Sequence, residues 1–329
     1  MRLVVIIPAL NEAKTIGAVI DAVPRVLAGV DEVRVVVVDD GSTDDTARLA
    51  TAAGAEVVRH PVNLGVGAAF ATGIRSALSR GADLIVNMDG DGQFNPADIA
   101  ELVRPVVAGE AGFVTCTRFA HPDYQPTMPG VKRLGNRGMA WIVSTLTGQR
   151  FSDVACGFRC YSRETAQRLH LFGRFTYTQE SFVSLASQGV AMREVPLVVR
   201  GVREHGHSRV ARNVVQYGFR ALSILLRALR DHRPLAFFGS IGAGVFGCGL
   251  VLGAAVFVHW VRTGQTSPYR SVLLGSAAGL IVGVLLGVMA LLADMLGRVR
   301  RTNETLLFEL RRLADRLDAA DPTRSPRDP

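Results

Sequence analysis

The stretch Asp83-Leu84-Ile85-Val86-Asn87-Met88-Asp89-Gly90-Asp91-Gly92-Gln93 decides the fold class of this chain. Residues 83–86 form a short, mainly apolar segment typical of a strand, and an Asp-x-Asp pair with glycines follows where the strand ends. Ligands of α/β sheets bind at the carboxyl ends of strands, and carboxylates there suit a hard divalent cation such as Mg²⁺ or Mn²⁺. An acidic surface turn has the same composition, so the interpretation depends on the neighbouring segments.

The segments before this stretch repeat the alternation of strand and polar loop. The apolar run at residues 3–7 is followed by Pro8-Ala9-Leu10-Asn11-Glu12, and the run at residues 33–38 is followed by Asp39-Asp40-Gly41-Ser42-Thr43-Asp44. Helical apolar spacing over residues 15–27 and 44–53 separates the strands. Strands that alternate with helices predict a parallel sheet with right-handed connections, so the three polar loops should converge on one edge.

The same alternation continues to about residue 200. The pattern predicts further strands at residues 56–59, 112–117 and 191–199, and helices at residues 63–78, 96–107, 131–146, 163–170 and 175–188. Asn63-Leu64-Gly65-Val66-Gly67 resembles half of a phosphate-binding glycine loop. The full G-x-G-x-x-G fingerprint is absent, which argues against a dinucleotide-binding fold.

Charge and hydrophobicity are unevenly distributed along the 329 residues. The net charge of +8 arises mostly from arginines at residues 200–233 and 297–316, and the apolar residues, 48% of the chain, concentrate after residue 234. Basic clusters beside apolar segments favour an anionic membrane surface as a partner, and no nucleic-acid-binding module is recognisable. The four cysteines lack the spacing of a zinc site and indicate reduced, cytosolic thiols.

The C-terminal third predicts a membrane anchor. Residues 210–233 have the pattern of a basic amphipathic helix lying in a membrane interface. Residues 235–261 and 271–293 are apolar and exceed the roughly 20 residues that cross a bilayer. Small residues recur in both at the spacing that favours close helix packing: Gly239, Ala243 and Gly247, then Gly275, Gly279, Gly283 and Gly287.

Arginines flank both apolar segments, which predicts a multi-pass protein of the cell membrane with the first domain and both termini in the cytoplasm. Residues 297–329 should form a cytoplasmic amphipathic helix and a disordered tail. The apolar face of that helix suits either the membrane or a second subunit, so a homo-oligomer stays open.

The three polar motifs together resemble the family-2 inverting glycosyltransferases of the GT-A fold, and more closely the polyprenyl-phosphate (dolichyl-phosphate) sugar synthases. The resemblance covers residues 1–209, and the apolar segments match the anchor that some branches carry. It implies an α/β fold of a mostly parallel sheet flanked by helices, followed by the amphipathic helix and two transmembrane helices.

The resemblance also implies roles for individual residues. The nucleotide sugar would be held by Pro8, Asn11, Glu12, Asp39, Asp40, Asn63, Gly65 and Asp89. The divalent cation, Mg²⁺ or Mn²⁺, would be held by Asp89, Asp91 and Gln93. Catalysis would depend on Asp91 and on arginines that face the phosphates: Arg118, Arg133, Arg203 and Arg209. Residues 177–180 lack the Glu-Asp pair that many family-2 enzymes use as a base.

That departure fits a phosphate acceptor. A sugar hydroxyl must lose a proton as it attacks, whereas a polyprenyl monophosphate is already ionised at pH 7. The resemblance therefore implies inverting transfer from a nucleotide-diphosphate sugar to a polyprenyl phosphate, giving a lipid-linked phosphosugar for the cell envelope. A UDP-hexose or UDP-N-acetylhexosamine donor is favoured, and GDP-mannose is the alternative. A processive polysaccharide synthase would carry Gln-x-x-Arg-Trp, and neither Trp141 nor Trp260 has that context.

Overall fold

The structure, a computed structural model, describes residues 1–120, 130–169, 177–200, 230 and 234–320. Within this part of the chain the strands form one sheet in the order β3-β2-β1-β4-β6-β5-β7. The strands are β1 (Arg2–Ala9), β2 (Glu32–Asp39), β3 (Glu56–Arg59), β4 (Leu84–Asn87), β5 (Phe113–Thr117), β6 (Arg159–Ser162) and β7 (Met192–Pro196). β1 to β4 are parallel and β7 is parallel to β5, whereas β6 is antiparallel to both of its neighbours. The prediction of a mostly parallel sheet is confirmed.

Helices cover both faces of this sheet. They are α1 (Ile16–Asp21), α2 (Thr46–Ala52), α3 (Val66–Ser79), α4 (Ile99–Val107, after a 3-10 turn at Pro96–Asp98), α5 (Gly130–Thr147), α6 (Arg163–Gln167) and α7 (Tyr177–Ser187). β1 shows why two layers form: Leu3, Val5 and Ile7 point into one core, while Val4 and Ile6 point into the other. All five side chains are fully buried, as the continuous β-branched run predicted.

Two expectations about these elements are wrong. The helix predicted over residues 15–27 ends at Asp21, because Pro24 has no backbone N–H and disfavours a helical conformation at the preceding residue. β6 was not predicted at all. Its residues, Arg159-Cys160-Tyr161-Ser162, lack the apolar run that marks β4, and the strand is defined by its antiparallel pairing with β4 and β5.

A second compact unit, within Leu222–Leu307, contains the apolar helices. α8 (Pro234–Thr263) and the Arg270–Val299 part of α9 (Arg270–Ala320) are long and apolar enough to cross a membrane. The second apolar segment and the predicted C-terminal amphipathic helix lie in one uninterrupted helix, α9, as far as Ala320. The predicted interfacial helix, apart from Arg230, and the tail after Ala320 lie outside the described residues.

α8 and α9 pack through small residues, as the glycine spacing predicted, but on a different face of α8. The Ser276 hydroxyl donates to the carbonyl oxygen of Gly249 at 2.8 Å. A Cβ on Gly249 would lie 2.9 Å from the backbone nitrogen of Leu280, whereas one on Gly247 would meet nothing within 4 Å. On α9, the predicted Gly279 and Gly283 do lie at the contact.

Candidate active site

The three polar loops meet at the carboxyl edge of β1, β2 and β4, as predicted, and hydrogen bonds join them. The backbone N–H of Asn11 donates to Ser42 Oγ at 2.9 Å, and that of Glu12 donates to Thr46 Oγ1 at 2.8 Å. The buried hydroxyl of Thr15 donates to the carbonyl oxygen of Gly90 at 2.7 Å. The loop after β1 is therefore hydrogen-bonded to the segments that follow both β2 and β4.

Asn11 is the strained residue of this arrangement. Its φ of 55° lies in the left-handed region, which asparagine tolerates better than most residues. Its side-chain Oδ1 accepts the backbone N–H of Thr43 at 2.9 Å, which stabilises that conformation. Strained backbone of this kind persists where surrounding contacts impose it, and it is common at functional sites. Pro8, immediately before this loop, lies within β1 and is half-buried.

The paired aspartates after β2 hold the loops that surround them. Asp39 is fully buried, accepts the Ser42 N–H at 2.9 Å and lies 3.2 Å from Arg59 Nε. Asp40 accepts the backbone N–H groups of Leu64 at 2.9 Å and Gly65 at 2.8 Å. Asp40 thereby shapes the predicted glycine loop, whose Gly65 N–H also lies 3.0 Å from Asn63 Oδ1.

His60 completes the support of Asp40. Its Nδ1 lies 2.7 Å from Asp40 Oδ1, and its Nε2 lies 3.0 Å from Thr72 Oγ1 on α3. The histidine is buried, and no feature of the local sequence distinguished it from a solvated loop residue.

The Asp-x-Asp pair lies at the end of β4 as predicted. Asp89 is half-buried and Asp91 is buried, with Asp91 Oδ1 accepting the Gln93 backbone N–H at 3.1 Å. The Gln93 side chain donates to the carbonyl oxygen of Arg200 at 3.0 Å. Among the described residues no group of three or more His, Cys, Asp or Glu side chains could hold a metal ion. Two carboxylates at a strand end fit a cation that takes its other ligands from a bound diphosphate and water.

The buried side chain of Asn87 binds two groups that lie close to Asp89. The Asn87 side chain, at the end of β4, donates to the Gly157 carbonyl oxygen at 2.7 Å and to the Tyr177 hydroxyl at 3.1 Å. Burial, and secondarily the charge of Asp89, raise the pKa of Tyr177, so the phenol is neutral at physiological pH. A Cβ on Gly157 would lie 3.2 Å from Asp89 Oδ1, so the absence of a side chain at residue 157 leaves the carboxylate its space.

Arg118, at the end of β5, is held by a bidentate ion pair. Its Nε lies 2.5 Å and its Nη2 3.0 Å from the carboxylate of the fully buried Asp153. Burial alone would lower the pKa of Arg118, but the bonds to Asp153 outweigh it and raise that pKa. Glu194 accepts the backbone N–H groups of Ser152 and Asp153, and its own burial raises its pKa. Arg118 is therefore a permanent cation with a preset orientation.

The other predicted arginines are less defined. Arg133 is exposed on the first turns of α5. Arg203 and Arg209 lie outside the described residues.

Arg159 is the buried cation that sequence reasoning missed. Its guanidinium donates to the carbonyl oxygens of Cys156 at 2.8 Å and Val154 at 3.2 Å, and to Ser181 Oγ at 2.6 Å. It also lies 4.9 Å from the ring centre of Phe182. These bonds hold the segment between Asp153 and β6 against α7. In the local sequence, the only indication that this arginine is buried is that its neighbours are apolar residues and a glycine.

Comparison with known proteins identifies the family. Residues 4–169 match Glycosyl transferase family 2. The chain belongs to this family. It is 30% identical over 310 residues to glycosyltransferase AglJ of Haloferax volcanii, a match that covers 93% of this chain and 97% of the relative. The family-2 chain is thus a glycosyltransferase, and the resemblance seen in its motifs is confirmed.

Two further relatives are named for the lipid that they glycosylate. The UDP-N-acetylglucosamine–dolichyl-phosphate N-acetylglucosaminyltransferase of Methanococcus voltae is 29% identical over 212 residues, covering 58% of this chain and 83% of the relative. The undecaprenyl-phosphate mannosyltransferase of Micrococcus luteus is 28% identical over 228 residues, covering 65% and 90%. Homologues of this glycosyltransferase therefore act on polyprenyl phosphates.

A solved structure supports the fold assignment. Glucosyl-3-phosphoglycerate synthase of Mycobacterium tuberculosis, in complex with Mn²⁺, uridine diphosphate and phosphoglyceric acid, matches with a TM-score of 0.51 at 28% identity, covering 69% of this chain and 77% of that chain. The predicted GT-A-like fold is confirmed.

Proposed function

We propose that this family-2 enzyme transfers a sugar, with inversion, from a nucleotide-diphosphate sugar to a polyprenyl monophosphate at a membrane. The observation that carries the proposal is the joining of the three polar loops around Asp89 and Asp91 at one edge of the sheet. Relatives named as dolichyl-phosphate and undecaprenyl-phosphate transferases support the acceptor class. The product would be a lipid-linked phosphosugar used in glycosylating the cell envelope.

The donor would lie across the loops after β1, β2 and β4. Pro8, Asn11, Glu12, Asp39 and Asp40, with Asn63 and Gly65 of the loop that Asp40 shapes, would hold the nucleoside. A UDP-hexose or UDP-N-acetylhexosamine is the preferred donor, which the uridine diphosphate in the mycobacterial structure and the name of the Methanococcus voltae relative support. GDP-mannose is the alternative, because another relative is a mannosyltransferase.

Asp89 and Asp91, with Gln93 beside them, would hold Mg²⁺ or Mn²⁺ together with the diphosphate. The bound cation would neutralise negative charge that builds on the leaving diphosphate. Arg118, held in its orientation by Asp153, would donate hydrogen bonds to the phosphates, and Arg133, Arg203 and Arg209 would add positive charge near the acceptor phosphate. With both anions held in line, an oxygen of the lipid phosphate displaces the diphosphate from the anomeric carbon on the opposite face. The acceptor carries no proton that must be removed, so this step requires no general base.

The two apolar helices would anchor the enzyme beside its lipid substrate. Their exposed apolar surface and their length support insertion in the cell membrane, with the catalytic unit and both termini on the cytoplasmic side.

An assay of purified full-length protein tests the proposal. The protein is incubated with radiolabelled UDP-glucose, UDP-N-acetylglucosamine or GDP-mannose, with undecaprenyl phosphate in liposomes or with 3-phosphoglycerate, and lipid and aqueous products are counted separately. Label should enter the lipid fraction only, and EDTA should prevent it. Transfer to 3-phosphoglycerate alone would contradict the acceptor class.

Asp91→Ala is the matching variant. It should reduce turnover by at least about 100-fold, since a ligand that stabilises developing charge is worth at least that much. Asp98→Ala, which removes another partly buried aspartate a few residues further along the chain, is the control and should retain activity. Full activity of Asp91→Ala with Mn²⁺ present would remove the metal role from this residue.

A further inference from the structure

Tyr177 and Gly157 converge on Asp89 although they are distant from it in the sequence. A Cβ added to Gly157 would lie 3.1 Å from the Tyr177 hydroxyl and 3.2 Å from Asp89 Oδ1. Both oxygens therefore border the same small space above the Gly157 Cα. The carbonyl group of Gly157 is in turn fixed by the Asn87 side chain at 2.7 Å. The Asp89 carboxylate therefore lies next to Gly157, whose own position is fixed.

The ring of Tyr177 has little freedom, so the position of its hydroxyl is determined. The side chain is only 3% exposed. Its ring stacks on Phe70 with centroids 4.1 Å apart and an interplanar angle of 10°, and the Arg159 guanidinium lies 5.8 Å from its centre. Because Asn87 Nδ2 donates to the hydroxyl oxygen, the phenolic proton is available to an acceptor on the other side.

We propose that Tyr177 is a positioning residue for Asp89: its hydroxyl, together with the bare Cα of Gly157, determines where the Asp89 carboxylate lies and hence how tightly the site holds a divalent cation. This inference rests on the proposed function, in which Asp89 is a cation ligand. It assigns the start of α7 a role in the metal site, although the site is otherwise built from loops after β1, β2 and β4. Replacing a group that orients a metal ligand typically lowers metal affinity by about 10- to 100-fold.

Tyr177→Phe is the direct test, because it removes the hydroxyl and keeps the ring that stacks on Phe70. Mn²⁺ affinity is measured on the full-length protein by titration calorimetry, with and without saturating UDP. The dissociation constant should rise by about tenfold, the lower end of the range for residues that orient a metal ligand. Tyr161→Phe is the control, because Tyr161 is buried as well and its ring centroid lies 6.0 Å from that of the same Phe70. It should leave Mn²⁺ affinity unchanged.

Gly157→Ala provides a second test that leaves Tyr177 intact. The added methyl would press on both oxygens and should also weaken Mn²⁺ binding, whereas Gly138→Ala, with nothing within 4 Å of the new Cβ, should not. If Tyr177→Phe fails to fold, the comparison of Mn²⁺ affinity between Gly157→Ala and Gly138→Ala still tests the inference. Equal losses in Tyr177→Phe and Tyr161→Phe, or wild-type affinity in Tyr177→Phe or Gly157→Ala, would overturn the inference while leaving the proposed function intact. Failure of the wild type to bind Mn²⁺ even with UDP would overturn both.

Discussion

Gly41 allows two loops of the site to lie in contact. Its φ of 76° lies in the left-handed region, which costs a residue with a Cβ about 1–2 kcal/mol. The space is closed as well, because a Cβ there would lie 2.7 Å from the backbone nitrogen of Asn63 and from the carbonyl carbon of Val62. The loop after β2, which contains residue 41, and the predicted glycine loop that begins at Asn63 can therefore approach each other only because residue 41 has no side chain.

Gly41→Ala should lower the free energy of unfolding by at least about 2 kcal/mol, since backbone strain and overpacking add. Gly54→Ala is a matched control, because Gly54 has a φ of 82° and nothing within 4 Å of an added Cβ. It should cost about 1 kcal/mol from strain alone. Urea denaturation in detergent measures both, and UDP titration should show weaker binding only for Gly41→Ala. Equal destabilisation of the two variants would show that the loop contact is unimportant.

Glu180, half-buried in the first turn of α7, tests the absence of a general base. Glu180→Gln should keep kcat within about tenfold of the wild type, because a phosphate nucleophile needs no deprotonation. Glu164→Gln, on the exposed side of α6, is the control. A decrease of about 100- to 10,000-fold in kcat with unchanged donor binding would indicate a catalytic base and a hydroxyl acceptor.

At the scale of elements, β6 is a short strand with a large effect on the site. It lies antiparallel between β4 and β5, so that Asn87 on β4 is paired with Arg159 on β6. The segment before it then passes beneath Asp89 and continues back to Asp153, the partner of Arg118. One strand therefore supports a predicted metal ligand and a predicted phosphate-binding arginine at once.

The contact between the two apolar helices gives an element-scale prediction. Gly249→Leu should separate α8 from α9, because even a Cβ there would meet the Leu280 nitrogen at 2.9 Å. Lipid offers no hydrophobic driving force between helices, so close packing of small residues carries their association. SDS titration in mixed micelles should show a loss of about 1–3 kcal/mol, as for other overpacked sites. Gly247→Leu, whose Cβ meets nothing, should behave like the wild type, and a similar loss in both would disprove the assigned face.

At the scale of the whole molecule, the chain divides its tasks between two compact units. Every described residue predicted to contact donor or cation belongs to the unit that contains the sheet. In the other unit, α8 and α9 contact each other along one face and leave most of their apolar side chains exposed. We infer that it concentrates the enzyme at the membrane where a prenyl-linked acceptor resides, which raises the effective concentration of that acceptor without a new contact.

Cutting the chain after Asp231 tests this division. The truncated protein should bind the nucleotide sugar and glycosylate a short, water-soluble prenyl phosphate, but it should glycosylate a long-chain prenyl phosphate in liposomes poorly. Full-length protein assayed on both acceptors is the reference. Equal loss on both acceptors would show that the removed segment is required for folding, and equal activity on both would show that it does not position the enzyme.

Much of this protein could be predicted from local sequence patterns. Continuous β-branched runs mark β1 and β2 because strands buried on both faces must be apolar throughout. The polar loops after β1, β2 and β4 were expected to meet, since the carboxyl ends of parallel strands share one edge. The two apolar helices followed from length and composition, and the order of three motifs indicated the family.

What only the tertiary structure decided are the pairings between residues far apart in the chain. Tyr177 meets Asn87 across 90 positions, and Asp153 meets Arg118 across 35. Periodicity indicates which face of an element is buried, but not which element lies against it. The strand β6, the burial of Arg159 and the position of Gly157 and Tyr177 beside Asp89 therefore could not be predicted from the sequence. The same limit applies to α8, where a glycine-rich sequence allows several packing faces and only the position of α9 selects the one through Gly249.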